Sequence, residues 1–338
     1  MDRRTWTVVA AGLLALAIGV LGMNLPVPMV AVGPGPTYDT LGTVDDTQVV
    51  SVDGLPVFPT SGHLNMTTVS VTDGITMFDA LAFWASNERR VVPRELIFPP
   101  NETQEEIERE NAALFASSEA NAESAAVTEL GLPATVVVTG LVPDGAASGV
   151  LREGDQLLAV GGRPLGSVND LTAALADTRP GDRLPVTYRR DGQEQTADVV
   201  LGASPDRPSG LLGVLPGAIS REGEITISLG GIGGPSAGLM FALSLVDKLT
   251  PGELTGGRFV AGTGAILPNG VVTQIDGIPF KMHAAREAGA TVFMVPAENC
   301  AEAAATVPDG LQLVRVGTLH DAVAALDALQ AGQTPVSC

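Results

Sequence analysis

Ser236 and Lys281 are the two residues whose types and spacing could do covalent chemistry. Ser236 stands in Gly234-Pro235-Ser236-Ala237-Gly238, ahead of an apolar run to Leu249, and is expected to open a helix. Free backbone N–H groups and the positive end of the helix dipole favour a developing oxyanion there. Ser236 is therefore a candidate nucleophile, with the backbone of Gly234 and Ser236 as candidate oxyanion donors. Lys281 follows Pro279 in the first turn of a second expected helix, where helix dipoles disfavour a cation. A desolvated amine at such a place can take a serine proton and later return it to a leaving amine. Each residue alone has a plainer reading: Ser236 as a helix cap, Lys281 as a surface cation.

The composition narrows the partners. Of 19 cationic residues only Lys248 and Lys281 are lysines, and Arg, unlike Lys, does not give up its proton in a protein. Lys248 is expected at the C-terminal end of its helix. A net charge of -19 argues against a nucleic-acid partner, since phosphate binding needs clustered Lys and Arg. Cys300 and Cys338 show no metal-ligand spacing, and the three histidines form no HExxH pair, so no metal or other cofactor is expected. A single disulfide between the two cysteines stays open.

Several elements must position this pair. Residues 1–25 hold Arg3 and Arg4 and then an uncharged run long enough to cross a bilayer, read as an anchor with the N-terminus in the cytoplasm and the rest outside. The alternative is a cleaved signal peptide, with small residues at Ala31 to Gly33. The following GPGPTYDTLG reads as a linker or loop. Residues 26–130 then offer short strands, a helix over Ile75 to Ser86 whose aromatics are expected in the core, and a long helix over 101–130 capped by Asn101. A β-rich unit spans 131–203, a Pro/Gly-rich linker 204–221, an alternating α/β unit 222–330 and a tail 331–338.

The unit 131–203 resembles a PDZ domain through GDQLLAVGGRPL, the helix capped by Ser167 and the hairpin at Asp191-Gly192. The place of the family's glycine-rich loop reads Gly131-Leu132-Pro133-Ala134. The resemblance implies peptide binding by strand addition beside Thr135 to Val138, with Leu132, Val136, Leu171 and Leu175 lining apolar pockets. The rival reading is a packing unit without a ligand.

From Glu222 to Leu329 the chain resembles the proteolytic domain of Lon proteases. The PSAG segment, the string GTGAILPNGVVTQIDGI and the helix Lys281-Met282-His283-Ala284-Ala285 carry the resemblance in order. It implies a Ser236–Lys281 dyad, with Thr263 orienting the lysine. Anchor, PDZ-like unit and Lon-like unit together look like the membrane-anchored PDZ-containing Lon-like proteases of bacteria. That likeness implies polypeptide substrates and ring-like homo-oligomers. No GxxxxGK[ST] occurs, so no ATP-binding module and an ATP-independent serine endopeptidase acting outside the membrane are expected. Two alternatives remain: an inactive membrane-tethered scaffold, and an α/β-hydrolase reading of GxSxG with His320 and Asp276 or Asp321.

Overall fold

The computed structural model describes residues 3–86, 89–204, 208–230 and 232–338. The N-terminal apolar run forms helix α1 (Arg3–Asn24), 22 residues with hydropathy 2.1. At 1.5 Å per residue it is about 33 Å long, enough to cross a membrane. By length and composition alone a signal sequence would pass the same test.

Strand β1 (Met29–Asp39) follows, then the short β2 (Thr43–Val44), β3 (Thr47–Gln48) and β4 (Val50–Asp53), and then β5 (His63–Thr72). Next come helix α2 (Met77–Ser86), β6 (Arg90–Pro93) and the long α3 (Gln104–Glu129). Three expectations are corrected here. The Gly-Pro stretch lies largely within β1, which pairs with β5 on one side and β6 on the other. A register shift between Pro34 and Thr37 accommodates residues that a regular ladder would reject. Helix α3 is capped by Thr103 rather than Asn101, because Thr103 and Glu106 close a reciprocal capping box. No residue of α2 is buried, so its aromatics are not core.

The second unit contains β7 (Ala134–Leu141), β8 (Gln156–Val160), β9 (Arg163–Pro164), α4 (Val168–Leu175), β10 (Arg183–Arg190), β11 (Gln193–Val200) and β12 (Val214–Ser220). Its sheet runs β11-β10-β8-β7-β12, with β9 beside β8. Asp191 and Gly192, both at positive φ, make the tight turn between β10 and β11 that their residue types favour. Strand β12 falls where a linker was expected. It pairs with the full length of β7, so residues 214–220 belong to this sheet.

The C-terminal part holds β13 (Glu224–Ile227), α5 (Gly238–Leu249), β14 (Phe259–Gly262), β15 (Ala265–Ile266), β16 (Val272–Thr273), α6 (Ile278–Glu287), β17 (Val292–Pro296), α7 (Cys300–Ala304), β18 (Gln312–Val316) and α8 (Leu319–Gln330). Its parallel strands do not stand alone. The sheet order is β18-β17-β14-β5-β1-β6, and β13 pairs with β4, so the sheet crosses the boundary expected at residue 222.

Strand alternation explains why this sheet carries two cores. Leu64, Val260, Met294 and Val314 face α3, α5 and α8, while Ala261, Phe293, Val295 and Leu313 face α6 and α7. Helix α5 is buried from Gly238 to Lys248, as a helix apolar on nearly every face must be. Cys300 and Cys338 form a disulfide that ties the tail to α7.

Candidate active site

Ser236 lies at the point where the chain turns into α5. The capping position is Ala237, so Ser236 sits just before the helix and its side chain is free of capping duty. Four hydrogen bonds hold the backbone of Gly234, Pro235 and Ser236. Gly264 N–H and Thr263 Oγ1 donate to the Ser236 carbonyl at 2.9 and 3.1 Å. From α3, Ser118 Oγ donates to the Pro235 carbonyl at 3.0 Å, and the Asn111 carbonyl accepts from Gly234 N–H at 3.1 Å. Glycine is needed at 238 because a Cβ there would come within 2.7 Å of Ile266 and 2.9 Å of Ser118 Oγ.

Lys281 approaches from the opposite face of the sheet. Gly277, in the left-handed region at φ 76°, starts α6, and Lys281 is among the first residues of that helix to bond back along it. Its side chain is 3% exposed. The ammonium donates to Ser236 Oγ at 2.8 Å and to Thr263 Oγ1 at 3.0 Å. Among the described residues no carboxylate pairs with it directly. Burial drives its pKa down to about 8, against the weaker pull of the Asp276 charge in the other direction. An amine with that pKa is neutral in about one molecule in ten at pH 7, and a neutral amine beside a hydroxyl can take its proton.

The other candidate residues fall into place differently. The Gly234 N–H is already given to Asn111, so it is not open to an oxyanion in this conformation. In the second unit Val136, Leu171 and Leu175 are buried in the core, and Leu132 packs against Val127, Ala134, Val168 and Ala218. They fill space rather than line a pocket. Strand β7 is paired on both sides, so no peptide can add beside Thr135 to Val138. The outer side of β12 is partly taken by α3, through Ala218 N–H to Ser124 Oγ and Ser220 N–H to Glu123.

His320 bonds to Glu129, and the Asp321 carboxylate accepts from Gly317 N–H just before the helix that Thr318 caps, so neither is engaged with Ser236. No group of three or more metal-ligating side chains occurs among the described residues. Sequence reasoning missed Asn111 and Ser118. The only hint was the small-residue face in the second half of α3, which signals close packing but not what is packed.

Residues 227–327 match the Lon protease (S16) C-terminal proteolytic domain, and residues 110–201 match a PDZ domain. This chain carries a Lon-type proteolytic domain. The Lon-type match takes in Ser236, Thr263 and Lys281, while the PDZ match begins inside α3, near Asn111. Among curated relatives, the Lon protease of Mycolicibacterium smegmatis is 33% identical over 119 residues, 34% of this chain and 15% of that protein. The serine protease Do-like HtrA of Lactococcus lactis is 42% identical over 82 residues, 23% of this chain and 20% of that protein. The chain thus spans a fifth or less of the length of either relative. Among solved structures, the PDZ domain of an SdrC-like protein from Listeria monocytogenes is 22% identical, covering 24% of this chain and 85% of that one with a TM-score of 0.23.

Proposed function

We propose that this chain is a membrane-anchored, ATP-independent serine endopeptidase that cleaves flexible or unfolded polypeptides outside the cytoplasmic membrane. One observation carries the reading: a buried amine, bonded to no carboxylate among the described residues, lies 2.8 Å from a serine oxygen at the mouth of a helix. In the proposed reaction Ser236 Oγ attacks the scissile carbonyl carbon as its proton passes to Lys281 Nζ. The negative oxygen gathers near the Ser236 N–H and the start of α5. Collapse breaks the C–N bond, Nζ returns the proton to the departing amine, and an acyl-enzyme remains on Ser236. Water, deprotonated by the same amine, then releases the acid. Thr263 holds Nζ from its second side and the Ser236 carbonyl at once, fixing the two reacting groups relative to each other.

The extracytoplasmic placement draws on the apolar α1 behind Arg3 and Arg4 and on the Cys300–Cys338 disulfide, which suits an oxidising compartment. Assembly into a homo-oligomer would place several such sites together, as the family likeness implies. The test is incubation of the full chain, in detergent or bilayer discs and without nucleotide, with an unfolded protein. Cleavage by the wild type and none by Ser236→Ala or Lys281→Arg is expected. Equal cleavage by all three would sink the dyad, and no cleavage by any would favour the scaffold reading.

A further inference from the structure

Helix α2 exposes an apolar face that the catalytic reading does not use. At 100° per residue, Met77, Phe78, Leu81 and Trp84 fall on one side and Asp79 and Ser86 on the other. Phe78, Leu81 and Trp84 are 44%, 53% and 74% exposed. Asp79 turns back to cap the helix start, accepting from Thr76 N–H and Oγ1 at 2.9 and 2.7 Å. The chain thereby keeps charge off the apolar side.

The position of this face identifies what covers it. The chain leaving α1 bridges Pro26 to Thr76, and Val27 N–H bonds to the Ile75 carbonyl, so α2 begins where α1 ends. Met77 and Phe78 close on Gly22 tightly enough that a Cβ there would lie 2.7 Å from each. Leu25 and Leu96, 56% and 69% exposed, belong to the same end, since Arg94 N–H bonds to the Pro28 carbonyl. An apolar face continuous with the exit of a membrane-length helix, ending in a Trp, has the features of a segment lying in the bilayer interface.

We propose that α2 lies in the membrane interface beside the end of α1, with Phe78, Leu81 and Trp84 in contact with lipid. The inference rests on the reading of α1 as an anchor. It makes α1 and α2 together a two-point mount that fixes how the adjoining sheet stands on the membrane, since β1 runs directly from this mount and α6 packs on β1.

The test uses the full chain carrying Trp6→Phe, which leaves Trp84 as its sole tryptophan, reconstituted in phosphatidylcholine vesicles. Expected are blue-shifted emission, strong quenching by lipids brominated near the top of the acyl chain, and little quenching by iodide. Quenching by iodide without quenching by bromolipid would overturn the proposal. So would protection from both, which would mean that another protein surface, such as a second copy, covers the face. Alkaline carbonate washing separates the two ideas: release of the chain would sink the anchor itself, whereas a retained chain with a water-exposed Trp84 would sink only the role of α2.

Discussion

Asp155 and Lys281, a buried charged residue from each folded unit, keep opposite company. In the PDZ unit Asp155 is gripped by Arg190, Nε to Oδ1 at 2.8 Å and Nη2 to Oδ2 at 2.6 Å, and accepts from Arg152 N–H as well. Burial works to raise its pKa, but the Arg190 and Arg152 hydrogen bonds outweigh burial and leave the pKa below the ordinary value. In the Lon-type domain Lys281 is equally hidden, yet among the described residues its ammonium bonds to two hydroxyls and no carboxylate, and burial wins. A charge satisfied by its partners helps to specify a fold, whereas a charge left short of partners is stored reactivity. Lys248 shows that burial alone is not the signal. Burial lowers its pKa too, but the charges of Asp247 and Asp39 oppose this, and among the described residues no hydroxyl or thiol is bonded to its ammonium.

Substitutions should separate the two sites most sharply. Lys281→Met should abolish cleavage, by roughly 10⁴-fold or more, while raising the melting temperature, because it removes an ammonium whose desolvation on folding outweighs the pull of the Asp276 charge. Arg190→Met should do the reverse, lowering the melting temperature because Asp155 stays buried without its partner, with the dyad intact. Calorimetry beside a peptide-cleavage assay would check both, and melting shifts of the same sign would break the comparison.

Thr263→Val removes one of the two hydroxyls on Nζ and the bond to the Ser236 carbonyl. A hydrogen bond to a charged group is worth about 1.5–3 kcal/mol, so a fall of roughly 10- to 100-fold in kcat/KM is expected. Ser118→Ala loses a neutral bond to the Pro235 carbonyl and should lower kcat a few-fold with little change in KM. His320→Ala should leave cleavage unchanged, and a large loss would return the hydrolase triad to contention.

Why some of this was legible in the sequence and some not is a matter of range. Asp191-Gly192 announces a hairpin, since both residues tolerate positive φ, and the apolar run after Gly238 announces a buried helix. The Ser236, Thr263 and Lys281 motifs come in order because each sits at the edge of its own element. Pairing of β5 with β14 joins residues some two hundred positions apart, and nothing local in either strand encodes it. The Gly-Pro repeats hid β1, because a bulge absorbs them only once β5 and β6 are alongside. The aromatic content of α2 signalled burial, but not that the burying medium could lie outside the protein. Asn111 and Ser118 act through one carbonyl and one hydroxyl on a helix face, a role that any small polar pattern would conceal.

Helix α3 joins the two regions compared above. Its Ser124 Oγ accepts from Ala218 N–H in β12 and donates to the Pro268 carbonyl between β15 and β16, while Asn111 and Ser118 hold the serine loop. The same helix therefore touches the PDZ sheet edge and the backbone leading into Ser236.

The most direct test of the central claim is the pH dependence of Ser236 acylation by a fluorophosphonate or activated ester. The reactive form needs a neutral Lys281, so its share falls about tenfold per pH unit below the folded pKa. The predicted rate rises from pH 6, levels off near a pKa of about 8, and vanishes in Lys281→Met. A rate that is flat across this range, or that levels off near 6.5 as a histidine base would, contradicts the account.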